Sequence, residues 1–321
     1  MIFKEFICPF TKSDLKLDKK KNFLKNKKNN KFYIKNNLIN FLKVKKLNSE
    51  EKKILKEYDN FSDNYDKWIN WMLKSFKENE KKSRNKIINK LKIKKNFKIL
   101  EIGCGTGRDT IFLEKKLGTN GKLYVQDISE KMMNILQKKL KNNKKIVPFV
   151  SNSDQLPFND NYFDIIYNFG SFNEFEKPIK VLLEFNRVLK KNGKVLIGDE
   201  NIAPWLKGTN YAKIIENNNN IFERDFIPLK YLPHNSEEVN LSWAIGKCFY
   251  IITYKKGKHE PKLNLDLKHD SLRGGSFRTR YFGKLEGIDP KLKEKFYKRV
   301  SENKNNVSGT LEKLITKYIN E

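Results

Sequence analysis

The stretch from residue 99 to residue 110 constrains this chain more than any other part of it. It reads Ile-Leu-Glu-Ile-Gly-Cys-Gly-Thr-Gly-Arg-Asp-Thr and follows Lys98. The apolar run up to Ile102 predicts a short buried strand, and apolar residues at helical spacing from Ile111 onward predict a helix. Alternating glycines between them allow a sharp bend and a close approach by a ligand, and a helix N-terminus offers free N–H groups. The stretch therefore predicts a nucleotide-binding corner.

The spacing of this motif separates two kinds of nucleotide site. A dinucleotide fingerprint requires a third small residue at position 108, where this chain has Arg. G-x-G-x-G preceded by an acid instead resembles motif I of class I S-adenosylmethionine (SAM) methyltransferases. The resemblance implies that SAM is the cofactor and that it lies against Glu101, Gly103, Cys104, Gly105 and Gly107. An ordinary glycine turn between strand and helix is the alternative interpretation.

The next predicted strand ends at Asp127, 20 residues after Gly107. An acid at this place can accept hydrogen bonds from both ribose hydroxyls, and Ile128 follows it. A helix-capping role for Asp127 is the alternative. A third strand, Ile146 to Val150, is followed by Ser-Asn-Ser-Asp-Gln-Leu-Pro-Phe, which resembles G-D-A-E-x-L-P-F of the same family.

That resemblance assigns Asn152, Ser153 and Asp154 to the adenine end of the site. Asn152 stands where the family has an aspartate that faces the adenine amino group. An amide oxygen can still accept a hydrogen bond from that amine.

Residues 161–170 match the F-D-x-I strand of the family, which implies that Asn168 and Gly170 run beside the methionine part of SAM. Residues 182–193 resemble E-x-x-R-V-L-K-P-G-G, with Asn192 in place of the first glycine. Asn tolerates left-handed turn geometry, so the turn is expected to form. Two β-rich runs around Gly246 and Lys247 predict a closing antiparallel hairpin.

The resemblance that these ordered motifs carry implies an α/β fold, a seven-stranded Rossmann-like SAM methyltransferase sheet that is parallel except for one strand. We expect three parts: a small module over 1–45, the methyltransferase domain over 46–255, and a strand-helix-helix tail over 256–321.

The N-terminal part resembles the zinc-ribbon-like module of some methyltransferases through Cys-Pro at 8–9 and through the run from Phe32 to Leu42, which resembles the strand Y-x-I-x-x-G-I-P-x-L of that module. Only Cys8 remains of the four ligands, and Thr11 stands at the second position. One thiolate cannot complete a tetrahedral zinc site, so we predict a degenerate module without a metal. A basic, partly disordered arm is the alternative.

Residues 46–97 carry helical patterns. The run Phe61 to Asp66 resembles the N-terminal helix that covers the cofactor in quinone-biosynthesis-type methyltransferases. The resemblance implies a contact between Tyr65 and the methionine part of SAM; a core tyrosine is the alternative.

The tail predicts a strand over 274–283, a helix capped by Asp289-Pro290, and a second helix capped by Ser308. This order is that of a ribbon–helix–helix unit, which pairs two copies because it cannot bury a core alone. Four of the eight Arg residues lie between Arg273 and Arg299, so nucleic acid stays open as a partner there. Two helices packed on a monomer are the alternative to a homodimer.

The amino-acid composition adds little to these predictions. The net charge is +29, but only eight of 67 basic residues are Arg, and a Lys- and Asn-rich chain is what an AT-rich genome gives. The three cysteines form no C-x-x-C pair, which indicates neither disulfides nor zinc. Without a signal peptide or an apolar run of about 18 residues, the chain is predicted to be cytoplasmic and to have no membrane span.

We therefore predict SAM-dependent methyl transfer to a small molecule. The L-H-H motif of the family is replaced by Phe172-Asn-Glu, so the resemblance does not identify the group that would activate the methyl acceptor. The candidates for that group are Asn173, Glu174, Glu200 and His234. An RNA methyltransferase and a non-catalytic SAM-binding regulator that binds nucleic acid are the alternatives.

Overall fold

The computed structural model describes residues 3–18, 22–44, 47–140, 143–268, 276–281, 285 and 288–321. The chain forms two compact units, Met1–Glu260 and Pro261–Glu321.

The first unit is organised around one sheet. Among the described residues eleven strands form it, in the order β1-β2-β3-β4-β7-β6-β5-β8-β9-β11-β10. They are β1 (Lys16–Asp18), β2 (Phe23–Lys25), β3 (Lys31–Lys35), β4 (Leu38–Asn40), β5 (Lys98–Ile102), β6 (Lys122–Asp127), β7 (Ile146–Val150), β8 (Phe163–Phe169), β9 (Leu189–Glu200), β10 (Ser236–Ala244) and β11 (Phe249–Lys256).

The seven strands β5 to β11 form the sheet that the motifs predict. Strands β7, β6, β5, β8 and β9 run parallel, and β11 is antiparallel to both β9 and β10. The expectation of a single antiparallel strand within this set is confirmed. The strand order reverses at β5, which pairs with β6 on one side and β8 on the other. Ligands of open α/β sheets bind at the carboxyl ends of strands at such a reversal.

Four N-terminal strands extend this sheet from seven strands to eleven. Strand β4 pairs in parallel with β7, with Ile39 opposite Phe149. The ring centroid of Phe6 lies 5.1 Å from that of Phe41, 5.5 Å from that of Phe149 and 5.2 Å from that of Phe158. Residues 1–45 are predicted to form a small module, and the rings of Phe6, Phe32 and Phe41 in it belong to the same core as β7.

Both faces of the sheet are buried. Leu100 and Ile102 of β5 belong to one hydrophobic cluster and Ile99 to the other, because successive residues of a strand point to opposite faces. The helices of this unit are α1 (Ser49–Phe61), α2 (Tyr65–Ser75), α3 (Glu80–Asn89), α4 (Thr110–Glu114), α5 (Glu130–Leu140), α6 (Pro178–Val188) and α7 (Asn210–Asn218).

Local sequence explains several of these boundaries. Asn48 and Glu51 form a capping box at the start of α1. Asn192 adopts a φ of 62°, so the predicted left-handed turn is confirmed. Helix α7 begins at Asn210, where the Thr209 side chain caps it by accepting the Ala212 N–H.

Cys8, the remaining cysteine of the zinc-ribbon-like pattern, is buried and forms no disulfide. The hydroxyl of Thr11 bonds to that of Ser13. In the described ranges no three His, Cys, Asp or Glu side chains are grouped closely enough to hold a metal ion. Nor is any helix of the described residues long and apolar enough to cross a membrane.

The second unit contains the helices α8 (Phe277–Tyr281), α9 (Pro290–Glu302) and α10 (Val307–Asn320). The predicted N-cap Asp289 is confirmed, since its carboxylate accepts from the N–H groups of Lys291 and Leu292. The second cap is Asn306 and not Ser308.

The predicted strand over 274–283 is wrong where the structure describes it, because residues 277–281 form α8. Residues 274, 275, 282 and 283 lie outside the described residues. The Arg278 guanidinium donates to the Asp266 carboxylate at 2.5 and 3.0 Å. Without the strand, the described part of the tail does not have the ribbon–helix–helix order on which the homodimer was predicted.

The shared aromatic core gives a test of how the N-terminal strands contribute to stability. We expect Phe6→Ala to lower the free energy of unfolding of the first unit by about 3–5 kcal/mol, because it leaves a cavity among packed rings. Chemical denaturation of the full chain, followed by tryptophan fluorescence, measures this. Tyr33→Ala is the matched control, since Tyr33 lies on β3 with its side chain 64% exposed. A Phe6→Ala transition that coincides with that of the wild type would mean that the N-terminal strands fold apart from the rest.

Candidate active site at the carboxyl ends of β5, β6, β8 and β9

Two adjoining cavities lie at the edge of the sheet where β5, β6, β8 and β9 end. The larger has a volume of about 300 Å³ and the smaller about 90 Å³. Both are lined by Tyr58, Tyr65, Gly103, Gly170 and Glu174. The two cavities therefore meet where the glycine loop after β5 faces the loop after β8.

The glycine loop requires its glycines for different reasons. Gly103, with a φ of +65°, lies so close to the next loop that a Cβ atom would be 2.1 Å from the Ser171 Oγ. A Cβ atom on Gly107 would instead be 3.0 Å from a Leu136 methyl group on α5. Gly103 thus sets the approach of two loops at the cavities, whereas Gly107 permits helix packing behind them.

Asp127 connects the end of β6 to this loop. Its Oδ2 accepts a hydrogen bond from the Gly105 N–H at 2.8 Å, and its Oδ1 accepts one from the Ser129 N–H at 2.9 Å. Burial raises the pKa of Asp127, and these backbone N–H groups counteract that rise. Asp127 and Ile128 line the smaller cavity, so a half-buried carboxylate faces the space next to the glycine loop.

Asn152, Ser153 and Asp154 form another part of the smaller cavity. The Asn152 Nδ2 donates to the Glu51 Oε1 at 2.7 Å. Glu51 belongs to α1, so the first helix closes this part of the cavity.

Helix α2 is fixed to the glycine loop by polar contacts. The Thr106 Oγ1 donates to the Asp66 Oδ1 at 2.7 Å, and the Arg108 Nη2 donates to the Asn70 Oδ1 at 2.6 Å. Tyr65, at the start of α2, is thereby held over the loop, and burial raises its pKa.

Helix α3 contributes a buried ion pair behind the loop. The Arg84 Nη1 lies 2.5 Å from the Asp109 Oδ2, and both side chains are 8% exposed. Nearby, the Glu101 carboxylate accepts from the Thr110 Oγ1 at 2.7 Å, and its burial raises the pKa of Glu101 well above the usual value. The cationic Arg84 offsets the Asp109 charge in a place where an unpaired carboxylate would be costly.

Most of the larger cavity is lined by aromatic and aliphatic side chains, while one end is acidic. The aromatic and aliphatic residues are Tyr58, Phe61, Tyr65, Trp68, Ile69, Met72, Leu73, Ile102, Tyr167, Phe169, Ile221, Ile245 and Phe249. The acidic end is formed by Glu174, Asp199 and Glu200.

Backbone N–H groups hold the Asp199 carboxylate at this end of the larger cavity. The Asp199 Oδ2 accepts from the Asn173 N–H at 2.6 Å, and its Oδ1 accepts from the Glu200 N–H at 2.9 Å. Burial and then the neighbouring Glu200 charge raise the pKa of Asp199 well above its usual value. The Asn173 Nδ2 donates to the Glu200 carbonyl at 2.8 Å, and the Tyr250 hydroxyl donates to the Asn173 Oδ1 at 3.2 Å. Asn173 thus supports the acidic pair from behind.

The structure brings most of the residues singled out from the sequence together around the two cavities. They are Tyr65, Glu101, Gly103, Cys104, Gly105, Asp127, Ile128, Asn152, Ser153, Asp154, Gly170, Glu174 and Glu200.

Four others do not line either cavity. Gly107 packs against α5. Asn168 is fully buried and donates to the Ile102 carbonyl and the Ser171 Oγ. Asn173 makes the supporting contacts just described. The His234 side chain is 81% exposed and lies 3.5 Å from Glu260.

Other lining residues were not singled out from the sequence. Glu51, Tyr58 and Trp68 come from α1 and α2, and Asp199 precedes the expected Glu200. The alternation along β9 could have pointed to Asp199, but no local pattern places Glu51 opposite Asn152, 101 residues away.

Comparison with known proteins gives the following relations. Residues 46–207, half of the chain, match the ubiE/COQ5 methyltransferase family. The demethylmenaquinone methyltransferase of Staphylococcus carnosus is 35% identical over 145 residues, which cover 45% of this chain and 59% of the relative. The protein of the same name from Geobacillus stearothermophilus is 32% identical over 164 residues, or 50% of this chain and 68% of the relative.

Among solved structures, a SAM-dependent methyltransferase from Aquifex aeolicus aligns with a TM-score of 0.42 at 22% identity, over 54% of this chain and 89% of its own. Phosphoethanolamine N-methyltransferase 2 of Haemonchus contortus, in complex with SAM, aligns with a TM-score of 0.46 at 12% identity, over 55% of this chain and 53% of its own. The family match, which spans the glycine loop and β5 to β9, shows the relationship: the chain belongs to the ubiE/COQ5 methyltransferase family.

Proposed function

We propose that this chain transfers the methyl group of SAM to a small aromatic acceptor of the demethylmenaquinone class. The observation that carries the proposal is the pair of joined cavities. One is bordered by the glycine loop and the half-buried carboxylate of Asp127, and the other is mostly apolar and aromatic. Relatives named demethylmenaquinone methyltransferase match about half of this chain, which supports the acceptor class.

The smaller cavity fits the nucleoside of SAM. Asp127, held by two backbone N–H groups, still has lone pairs for ribose hydroxyls. A Cβ atom on Gly170 would meet no atom within 4 Å, so the space at the junction of the cavities is open. Tyr65 and Cys104 border the larger cavity beside the glycine loop, where the methionine part would lie.

The larger cavity fits a flat apolar acceptor. Phe61, Trp68, Phe169 and Phe249 give it aromatic walls, which favour the burial of a fused ring system. Its two guanidinium groups are committed elsewhere: Arg84 pairs with Asp109, and Arg108 bonds to Asn70 and Glu80. An anionic acceptor would therefore meet carboxylates, whereas a hydroquinone would present hydroxyl donors to them.

The proposed chemistry is an in-line displacement. SAM, when bound, supplies an activated sulfonium methyl group. A carbon of the acceptor forms a bond to the methyl carbon, the S–C bond breaks with its electron pair going to sulfur, and one proton leaves the acceptor. The chain aligns the acceptor and excludes water through its aromatic walls, and the Asp199–Glu200 pair receives the proton. Asn173 and Tyr250 hold that pair in place.

The acceptor class is tested directly with methyl-labelled SAM. We expect the purified chain to transfer label to chemically reduced demethylmenaquinone and to place it in the organic-soluble fraction. Total RNA and bulk protein serve as competing acceptors in parallel reactions. Label that enters RNA or protein, with none in the quinone, would contradict the proposed acceptor.

Asp127→Ala is expected to weaken SAM binding by about 2–4 kcal/mol, because it removes hydrogen bonds to a charged acceptor. Isothermal titration calorimetry measures the affinity. Asp63→Ala serves as the control, since Asp63 is exposed and does not line either cavity. Equal affinities of Asp127→Ala and the wild type would remove Asp127 from the cofactor site.

Glu200→Gln is expected to lower kcat by about 10²-fold or more, the usual contribution of a positioned proton acceptor. The pair accepts a proton only when it is deprotonated, so kcat/KM should fall as pH decreases through the raised pKa of Asp199. Removing the Glu200 charge lowers that pKa, so the acid limb of the residual activity should move to lower pH. Glu223→Gln, an exposed carboxylate outside the cavities, should leave rate and profile unchanged. A Glu200→Gln enzyme with the wild-type rate and profile would exclude the pair as proton acceptor.

A further inference from the structure

We propose that Glu51 recognises the 6-amino group of the adenine of SAM and supplies the carboxylate that position 152 lacks. The inference rests on the proposed binding of SAM in the smaller cavity. It makes α1, and not only the loop after β7, a determinant of cofactor specificity.

The first observation is the contact between α1 and the loop after β7. The Asn152 Nδ2 donates to the Glu51 Oε1 at 2.7 Å, and both residues line the smaller cavity. In the pattern G-D-A-E-x-L-P-F the second residue is an acid, and here it is Asn152. The carboxylate that position 152 lacks is thus present within hydrogen-bond distance of Asn152, on helix α1.

The second observation is that the Glu51 carboxylate is held in place. As N3 residue of α1, it accepts from the Asn48 N–H through Oε2 at 3.0 Å, and the Asn48 Oδ1 accepts from the Glu51 N–H at 2.8 Å. This capping box directs Oε1 to Asn152 and leaves it a second lone pair. Glu51 therefore presents a pre-oriented acceptor to the cavity.

The third observation concerns the rest of this wall. Asp154 also lines the cavity, and its buried Oδ1 has no hydrogen-bond partner among the described residues. With the Asn152 Oδ1, the wall offers oxygen acceptors from three residues. A ring with an exocyclic amino group satisfies such a wall. A ring with a carbonyl oxygen at the same place would set its lone pairs against carboxylates, and sites built to receive a donor reject such analogues.

Calorimetry with two product analogues tests the assignment: S-adenosylhomocysteine and S-inosylhomocysteine, which has oxygen in place of the 6-amino group. We expect the wild type to favour the adenosyl compound by about tenfold or more, the size of a hydrogen bond to a charged group. Glu51→Ala should lose about tenfold for the adenosyl compound and much less for the inosyl compound. Glu50→Ala is the matched control, because Glu50 is exposed in the same first turn and does not line the cavity.

The substitution Asn152→Asp is expected to change the affinity for S-adenosylhomocysteine in opposite directions in the wild-type chain and in the Glu51→Ala chain. Asn152→Asp alone should weaken adenosyl binding, because it sets two carboxylates within hydrogen-bond distance. In the Glu51→Ala background the same substitution should restore both the affinity and the preference. If Glu51→Ala acted only by damaging α1, the binding of both ligands would weaken equally, and Asn152→Asp would not restore it.

The outcomes separate the two proposals. If the wild type binds neither analogue, SAM binding fails and this inference with it. If the wild type binds S-adenosylhomocysteine while Glu51→Ala keeps the full preference, or loses both ligands equally without rescue by Asn152→Asp, the role of Glu51 is overturned and the proposed function stands.

Discussion

The site depends on the close approach of the loop after β5 to the ends of its two neighbouring strands. At Gly103 the loop lies against Ser171, after β8, with no space for a side chain. At Gly105 it donates its N–H to Asp127, at the end of β6. These two contacts bring the ends of three parallel strands to one place, and both cavities meet there at Gly103 and Gly170. A Cβ atom or an unpaired carboxylate at this place would separate the loops.

The helices before β5 complete the cavities in two different ways. Helix α2 buries Ile69, Met72 and Leu73, so it is held by packing as well as by the bond between Asp66 and Thr106. No residue of α1 is buried. Its polar contacts with the site run through Glu51 and through Asp59, which accepts from the Ser129 Oγ, and the ring of Phe61 packs against those of Tyr65 and Trp68. Helix α1 thus lines part of the smaller cavity without a fully buried side chain of its own.

The N-terminal strands cover one edge of the central sheet. Strand β7 would be an edge of the seven-stranded sheet, and unpaired edges invite association. Pairing with β4 covers that edge, and the ring of Phe6 packs against those of Phe149 and Phe158. Aromatic burial thus holds these strands, while the single Cys8 lies buried among the same residues.

The sequence by itself determined the strand, glycine loop and helix around Gly103 and the acid at the end of β6. It also determined the succession of the seven central strands along the chain and the membership of a SAM methyltransferase family. Those features are local or follow one another in a fixed order along the chain, so spacing and motif carry them. What only the tertiary structure decided are the pairings of Glu51 with Asn152 and of β4 with β7. It also decided that both Asp199 and Glu200 line the larger cavity and that His234 lies outside the site. The tail illustrates the same limit, since the alternating stretch 274–283 predicted a strand, whereas residues 277–281 form α8. Periodicity over so short a stretch does not distinguish a strand from a helix, because the choice depends on which hydrogen-bond partners the folded chain provides.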